Sequence, residues 1–155
     1  MKHIGFYGGS SIVELGSVSE MTQFFSVLNE QIHDINDRKI LFQFYQKYLH
    51  LYELETASSL VTQLQQKLSK EQKCRFFKYF EGIERCIKSA QVFHEDWGIY
   101  KPVRIVITDM PDFMTDRDRP LEQYDALGPD DPPFWLRQKK LLVLWCTTQK
   151  LGSLR

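Results

Sequence analysis

The carboxylates between Asp109 and Asp131 are the densest concentration of reactive groups in the chain. Asp109, Asp112, Asp116, Asp118, Glu122, Asp125, Asp130 and Asp131 stand there against Arg117 and Arg119, about six net negative charges on 23 residues. Asp112, Asp116 and Asp118 are close enough in sequence to offer oxygen ligands to a divalent metal. A calcium loop of the EF-hand kind, however, needs alternating acids, a central glycine and a closing glutamate, and none of these stands in register. The acids are interleaved with Met114, Tyr124, Phe134 and Trp135. Aromatic anchors ringed by charge are what a partner-binding patch requires. The candidate contact residues are therefore Asp112, Asp116, Asp118, Tyr124, Asp125, Asp130, Asp131, Phe134 and Trp135. The competing readings of the segment are a metal-dependent active site and a solvated loop with turn-forming aspartates.

Other reactive groups do not assemble into a motif. Of the histidines, His94 alone is followed by two carboxylates, Glu95 and Asp96, and a run of three adjacent residues is too short-ranged for a triad whose members converge in space. Cys74 and Cys86 lie twelve apart on one expected helix, some 18 Å at 1.5 Å per residue, so they can share neither a disulfide nor a metal. The serines lack a G-x-S-x-G setting. Gly8-Gly9-Ser10 follows an apolar run as a phosphate loop would, but no lysine–serine pair and no G-x-G-x-x-G follow it. The strand-like Ile12–Leu15 comes next, which reads as a hairpin turn. Seven basic and three acidic side chains between residues 67 and 88 could form a nucleic-acid face, although helical spacing mixes the acids into it. These patterns predict a protein that is not an enzyme, with no cofactor and no metal.

The elements that must position these groups are legible by period. A chain of 155 residues, 43% hydrophobic and with 11 Phe and 7 Tyr, is long enough to bury a core as one domain spanning residues 1–155. Strands are expected at Ile4–Tyr7 and Ile12–Leu15. Ser17-Val18-Ser19-Glu20 fits a capping box opening a helix that reaches Ile35, with Met21, Phe24, Phe25, Leu28, Ile32 and Ile35 inward and Gln23, Asn29, Glu30 and Asp34 outward. A second helix starts near Asp37 and carries Leu41, Phe44, Tyr45, Tyr48, Leu51 and Tyr52 along one stripe. A third covers residues 55–68 with Leu60, Val61, Leu64 and Leu68 inward, and a second capping box, Ser69-Lys70-Glu71-Gln72, opens a fourth that runs to Ala90 and buries Phe76, Phe77, Phe80, Ile83 and Ile87. "VRIVITD" alternates as a strand, residues 109–135 form a long loop, and residues 140–147 form a last strand. The predicted class is α+β: a small mixed or antiparallel sheet packed against about four helices.

Net charge is zero, with 20 basic and 20 acidic side chains, which argues against a surface that wraps nucleic acid throughout. No run approaches the ~20 apolar residues of a membrane span. The start lacks a signal-peptide pattern, and three cysteines without C-x-x-C spacing fit reduced thiols. The expected location is the cytoplasm.

The opening "IGFYGGSSIVELGSVSEMTQFFSVLNEQI" resembles the start of the Immunity protein 70 family, cognate inhibitors in bacterial polymorphic-toxin and contact-dependent inhibition systems. Gly5-Phe6, Gly9-Ser10, Glu14-Leu15-Gly16-Ser17, Ser19 and Phe24-Phe25-Ser26 carry the likeness. "LHLY" at 49–52 with the helix after it, "VRIVITDMPDF" and "PPFW" at 132–135 are similar to later family elements. The resemblance covers about the first seventy residues, and residues 97–135 more loosely. It implies a non-enzymatic immunity protein that neutralises a cognate toxin domain, often a nuclease, by covering its active site or substrate groove. A nuclease needs a positive groove for phosphates, so an acidic segment on its inhibitor would speed and select association.

Overall fold

A computed structural model describes residues 3–46 and 48–108. Strand β1 (His3–Gly8) and strand β2 (Ser11–Glu14) form an antiparallel hairpin in which Gly5 faces Glu14 and Gly8 faces Ser11. Gly9 and Ser10 make the turn. Gly9 has φ of 57°, whereas Ser10 keeps a negative φ. Glycine with positive φ at the first central position is the signature of a type II′ turn, whose twist suits a two-residue hairpin.

Helix α1 (Val18–Glu30) begins where the sequence places it, with the Ser17 hydroxyl accepting from the Glu20 N–H at 3.1 Å. Glu20 does not mirror this within a capping box; its carboxylate accepts from the Tyr79 hydroxyl at 3.1 Å. The helix stops five residues before the expected Ile35, because Asp34 caps the next one, and Ile35, expected inward, is exposed at the start of that next helix. The Asp34 carboxylate accepts from the Asn36 N–H at 2.7 Å, and helix α2 (Ile35–Gln46) begins there rather than near Asp37. Asn29, expected on the solvated face, is buried: its side-chain oxygen accepts from Arg38 Nε, and Arg38 Nη2 donates to the Ile32 carbonyl. Arg38 thus closes the α1–α2 corner.

The stripe expected to run from Leu41 to Tyr52 as one helix is interrupted. Leu41, Phe44 and Tyr45 are buried, but α2 ends at Gln46, and Leu49 leaves it to form an isolated bridge with Val103. Tyr48, Leu51 and Tyr52 consequently face solvent. A 3-10 turn (Leu51–Glu53) leads into helix α3 (Leu54–Lys67), which buries Leu54, Ala57, Leu60 and Leu64.

The Ser69–Gln72 capping box is present in both halves, each bond 3.2 Å long. The helix it opens is in two pieces: helix α4 (Lys70–Arg75) ends at Phe76, whose φ of −104° and ψ of 14° break the spiral, and helix α5 runs Phe77–Trp97. Across the break Phe76 is buried as expected, while Phe77, expected inward, is exposed. Strand β3 (Arg104–Thr108) pairs antiparallel with β1, giving an antiparallel sheet of order β2-β1-β3. The α+β class is borne out, with five helices described in place of about four.

Phe24 lies at the centre of the core, its ring 5.0–5.5 Å from those of Phe25, Phe76, Tyr79 and Phe80. Tilted and edge-on rings at such spacings add to the area they bury. Helix α5 crosses the hairpin at Gly82, where an added Cβ would stand 3.2 Å from both Phe6 and Val13. A glycine in mid-helix disfavours helix by about 1 kcal/mol relative to alanine. Here it also lets helix and hairpin approach closely. The segment 109–135 and the expected strand at 140–147 lie outside the described residues.

Candidate binding groove between the hairpin turn and helix five

Helix α5 has two usable stripes, because steps of three and four repeat along it. Tyr79, Phe80, Ile83, Cys86, Ile87 and Ala90 form the buried one. Beside it run Arg85, Lys88 and Ser89, then Val92 and Phe93, then Asp96 and Trp97. The β1–β2 turn stands along this second stripe, and the two enclose an open groove of about 550 Å³ walled on the turn side by Ser10 and Ser11.

The turn is fastened at both ends. Ser10 donates its N–H to Ser89 Oγ at 3.1 Å, the two hydroxyls lie 3.3 Å apart, and the Gly9 N–H reaches the Lys101 carbonyl at 3.1 Å. Bonds from consecutive backbone amides to protein acceptors leave the turn no cradle for a phosphate. The glycines serve the hairpin: at Gly9 an added Cβ would lie 2.4 Å from the Ser89 carbonyl oxygen.

Polarity changes along the groove. Arg85, Lys88 and the three serines occupy one end. At the other, Trp97 is 70% exposed and lies 6.3 Å from Phe93, with the rings tilted by 34°. The Lys101 ammonium sits 4.9 Å from the Phe93 ring centre, a cation–π contact that commits this cation to that ring. Gly98, at φ of 70°, ends the helix and donates to the His94 carbonyl at 2.8 Å. Val92 and Ile99 extend the exposed apolar surface.

The remaining expectations about reactive groups resolve singly. His50 stacks on Tyr52 at 5.2 Å with a 4° interplanar angle, meets Tyr48 edge-on at 5.1 Å, and its backbone N–H donates to Glu53. Burial pushes the Cys86 thiol up to about 12, and Cys74 is exposed. Among the described residues, no group of three or more His, Cys, Asp or Glu side chains could hold a metal. The basic side chains from Lys67 to Lys88 are exposed; Arg75 bonds Gln23 and lies over Phe76, and Arg85 and Lys88 share a concave surface.

The contact residues predicted from sequence (Asp112, Asp116, Asp118, Tyr124, Asp125, Asp130, Asp131, Phe134 and Trp135) lie outside the described residues. Sequence reasoning missed the groove, although a signal was present. Arg85, Lys88, Val92 and Asp96 repeat at helical spacing beside the core stripe, and Trp97-Gly98 marks a helix end with an aromatic at its rim. No described helix is long and apolar enough to cross a membrane. The chain matches no protein-family model, and comparison with the curated proteins and with the solved structures finds no match.

Proposed function

We propose that this chain is an immunity protein: a non-enzymatic binder that neutralises a cognate bacterial toxin domain, a nuclease being the best-fitting kind, in the cytoplasm. The observation that carries the proposal is the exposed Trp97, sharing one groove with Val92, Arg85 and Lys88. Burying such a tryptophan on association gains what folding leaves unused. Tryptophan and arginine are also the residues on which binding energy concentrates at interfaces. The sequence likeness of residues 4–32 to the Immunity protein 70 family supports the same reading. So does the acidic, aromatic segment 109–135, which suits the positive groove of a nuclease.

A second reading, a regulatory module that binds nucleic acid, is favoured by Arg85 and Lys88 lying beside Phe93 and Trp97. Cationic grooves lined with stacking rings hold single strands. Asp96 within the groove and Glu71, Glu81 and Glu84 among the basic residues oppose it.

Co-expression with the toxin domain encoded beside this chain tests the proposal. Growth should be restored, and the two proteins should co-purify as a stable complex. Continued killing, with no complex formed by the folded protein, would refute the immunity reading.

A further inference from the structure

We infer that the groove between the β1–β2 turn and α5 docks an acidic, apolar-anchored peptide segment of the toxin, its carboxylates at Arg85 and Lys88 and an aliphatic or aromatic side chain against Trp97 and Val92. The identity of the partner rests on the immunity reading; the chemistry of the segment rests on the groove.

The groove is built before any partner arrives. Its floor is a helical stripe and its wall a turn held by the Ser10–Ser89 and Gly9–Lys101 bonds. A site with fixed walls loses little freedom on binding. From Arg85 to Trp97 is twelve residues, about 18 Å of helix. An extended segment of about five or six residues covers that length. Shorter ligands would meet the cations or the rings but not both.

Charge complementarity sets the segment's polarity. Arg85 and Lys88 attract carboxylates at one end, and the serine hydroxyls there can donate to them. At the other end Asp96 repels a carboxylate and can accept a peptide N–H, which favours uncharged chain beside Trp97. The Lys101 cation against Phe93 leaves the exposed Trp97 and the aliphatic Val92 to receive the anchor.

The same distribution disfavours a nucleic-acid strand. Phosphates recur at every nucleotide and call for cations along the whole track. Here the groove-lining cations stop at Lys88, Lys101 is engaged with the Phe93 ring, an acid stands at the far end, and Val92 offers no stacking face.

Fluorescence anisotropy on the full chain provides the test, with a fluorescein-labelled peptide of glutamates followed by leucine and tryptophan as probe. A lysine-for-glutamate peptide and a short oligothymidine serve as contrasts. Saturable binding of the acidic peptide is expected, weakened about tenfold or more by Arg85→Glu with Lys88→Glu and to a similar degree by Trp97→Ala. These side chains are exposed, so the variants should retain the wild-type far-UV circular dichroism spectrum. An acidic peptide that does not bind, or binds all variants equally, overturns the inference. Tighter binding of oligothymidine, lost in the same variants, overturns it in favour of the nucleic-acid reading. The same variants are then tried against the toxin domain. A toxin that binds wild type and variants equally removes the groove from the interface and leaves the immunity reading standing. A toxin that binds none of them removes that reading, and the peptide result still judges the groove.

Discussion

Gly9 and Gly98 both hold positive φ, 57° and 70°, yet they are not equivalent positions. At Gly98 an added Cβ meets nothing within 4 Å, so Gly98→Ala should cost only the left-handed backbone term, about 1 kcal/mol. Gly9→Ala adds a clash with the Ser89 carbonyl and should cost clearly more, about 2 kcal/mol or above. Urea midpoints at unchanged slope would rank the two. Two tyrosines give the fold a limit at high pH. Burial, then the neighbouring Glu20 carboxylate, pushes Tyr79 up to about 12; burial leads for Tyr100 as well, also to about 12, while its hydroxyl donates to the Leu49 carbonyl. Both ordinary values are 10.0. Above that pH the unfolded chain gives up protons that the folded chain keeps, so stability falls as pH rises. Their contribution should be fully present below pH 10 and lost between 10 and about 12. Denaturation midpoints across that window should fall less steeply in Tyr79→Phe with Tyr100→Phe than in wild type.

At the scale of elements, the two serine caps differ in what depends on them. Ser17 starts a 13-residue helix whose face is buried against the aromatic core, so Ser17→Ala should lower global stability by about 1 kcal/mol. Ser69 holds both halves of a capping box on α4, which has six residues, none of them buried. So short a helix has little stability of its own. Ser69→Ala should therefore act locally, with amide exchange rising at Lys73–Phe76 and unchanged around Ile83–Ile87. Faster exchange throughout α5 would mean that the two helices open as one unit. The break at Phe76 is the reason to expect separation.

For the whole molecule, thiol chemistry reports whether the core opens. Burial pushes the Cys86 thiol up to about 12, with the Arg85 charge pulling weakly the other way, and Cys74 is exposed. Thiolate is the reactive form, so a buried, protonated cysteine is inert. In a Cys146→Ser background, a disulfide-exchange reagent near neutral pH should titrate one thiol quickly, that of Cys74. The second should appear at the rate of unfolding. Rapid modification of both in the folded protein would mean that the hairpin lifts from α5 at Gly8, where an added Cβ would stand 2.6 Å from the Cys86 carbonyl oxygen.

Local patterns in the sequence were sufficient for the hairpin, the α1 start at Ser17, the Ser69 box, most of the inward faces of α1 and α3, and the existence of β3, although Val106 is buried on the face opposite Val103 and Ile105. Each depends on residues within a few positions of one another, and capping or period speaks directly at that range. Three outcomes needed the tertiary structure. The stripe from Leu41 to Tyr52 is cut after Gln46, because Leu49 pairs with Val103 more than fifty residues away. Helix α5 is offset from α4 at Phe76, which buries that ring and exposes Phe77. The groove exists because a turn near residue 10 is bonded to Ser89 and Lys101. Among the described residues, the sequence by itself determined most of the helix and strand segments and the faces that would seek cover. Contacts between distant segments decided where each helix stopped, and which aromatic and basic side chains were left together on the surface.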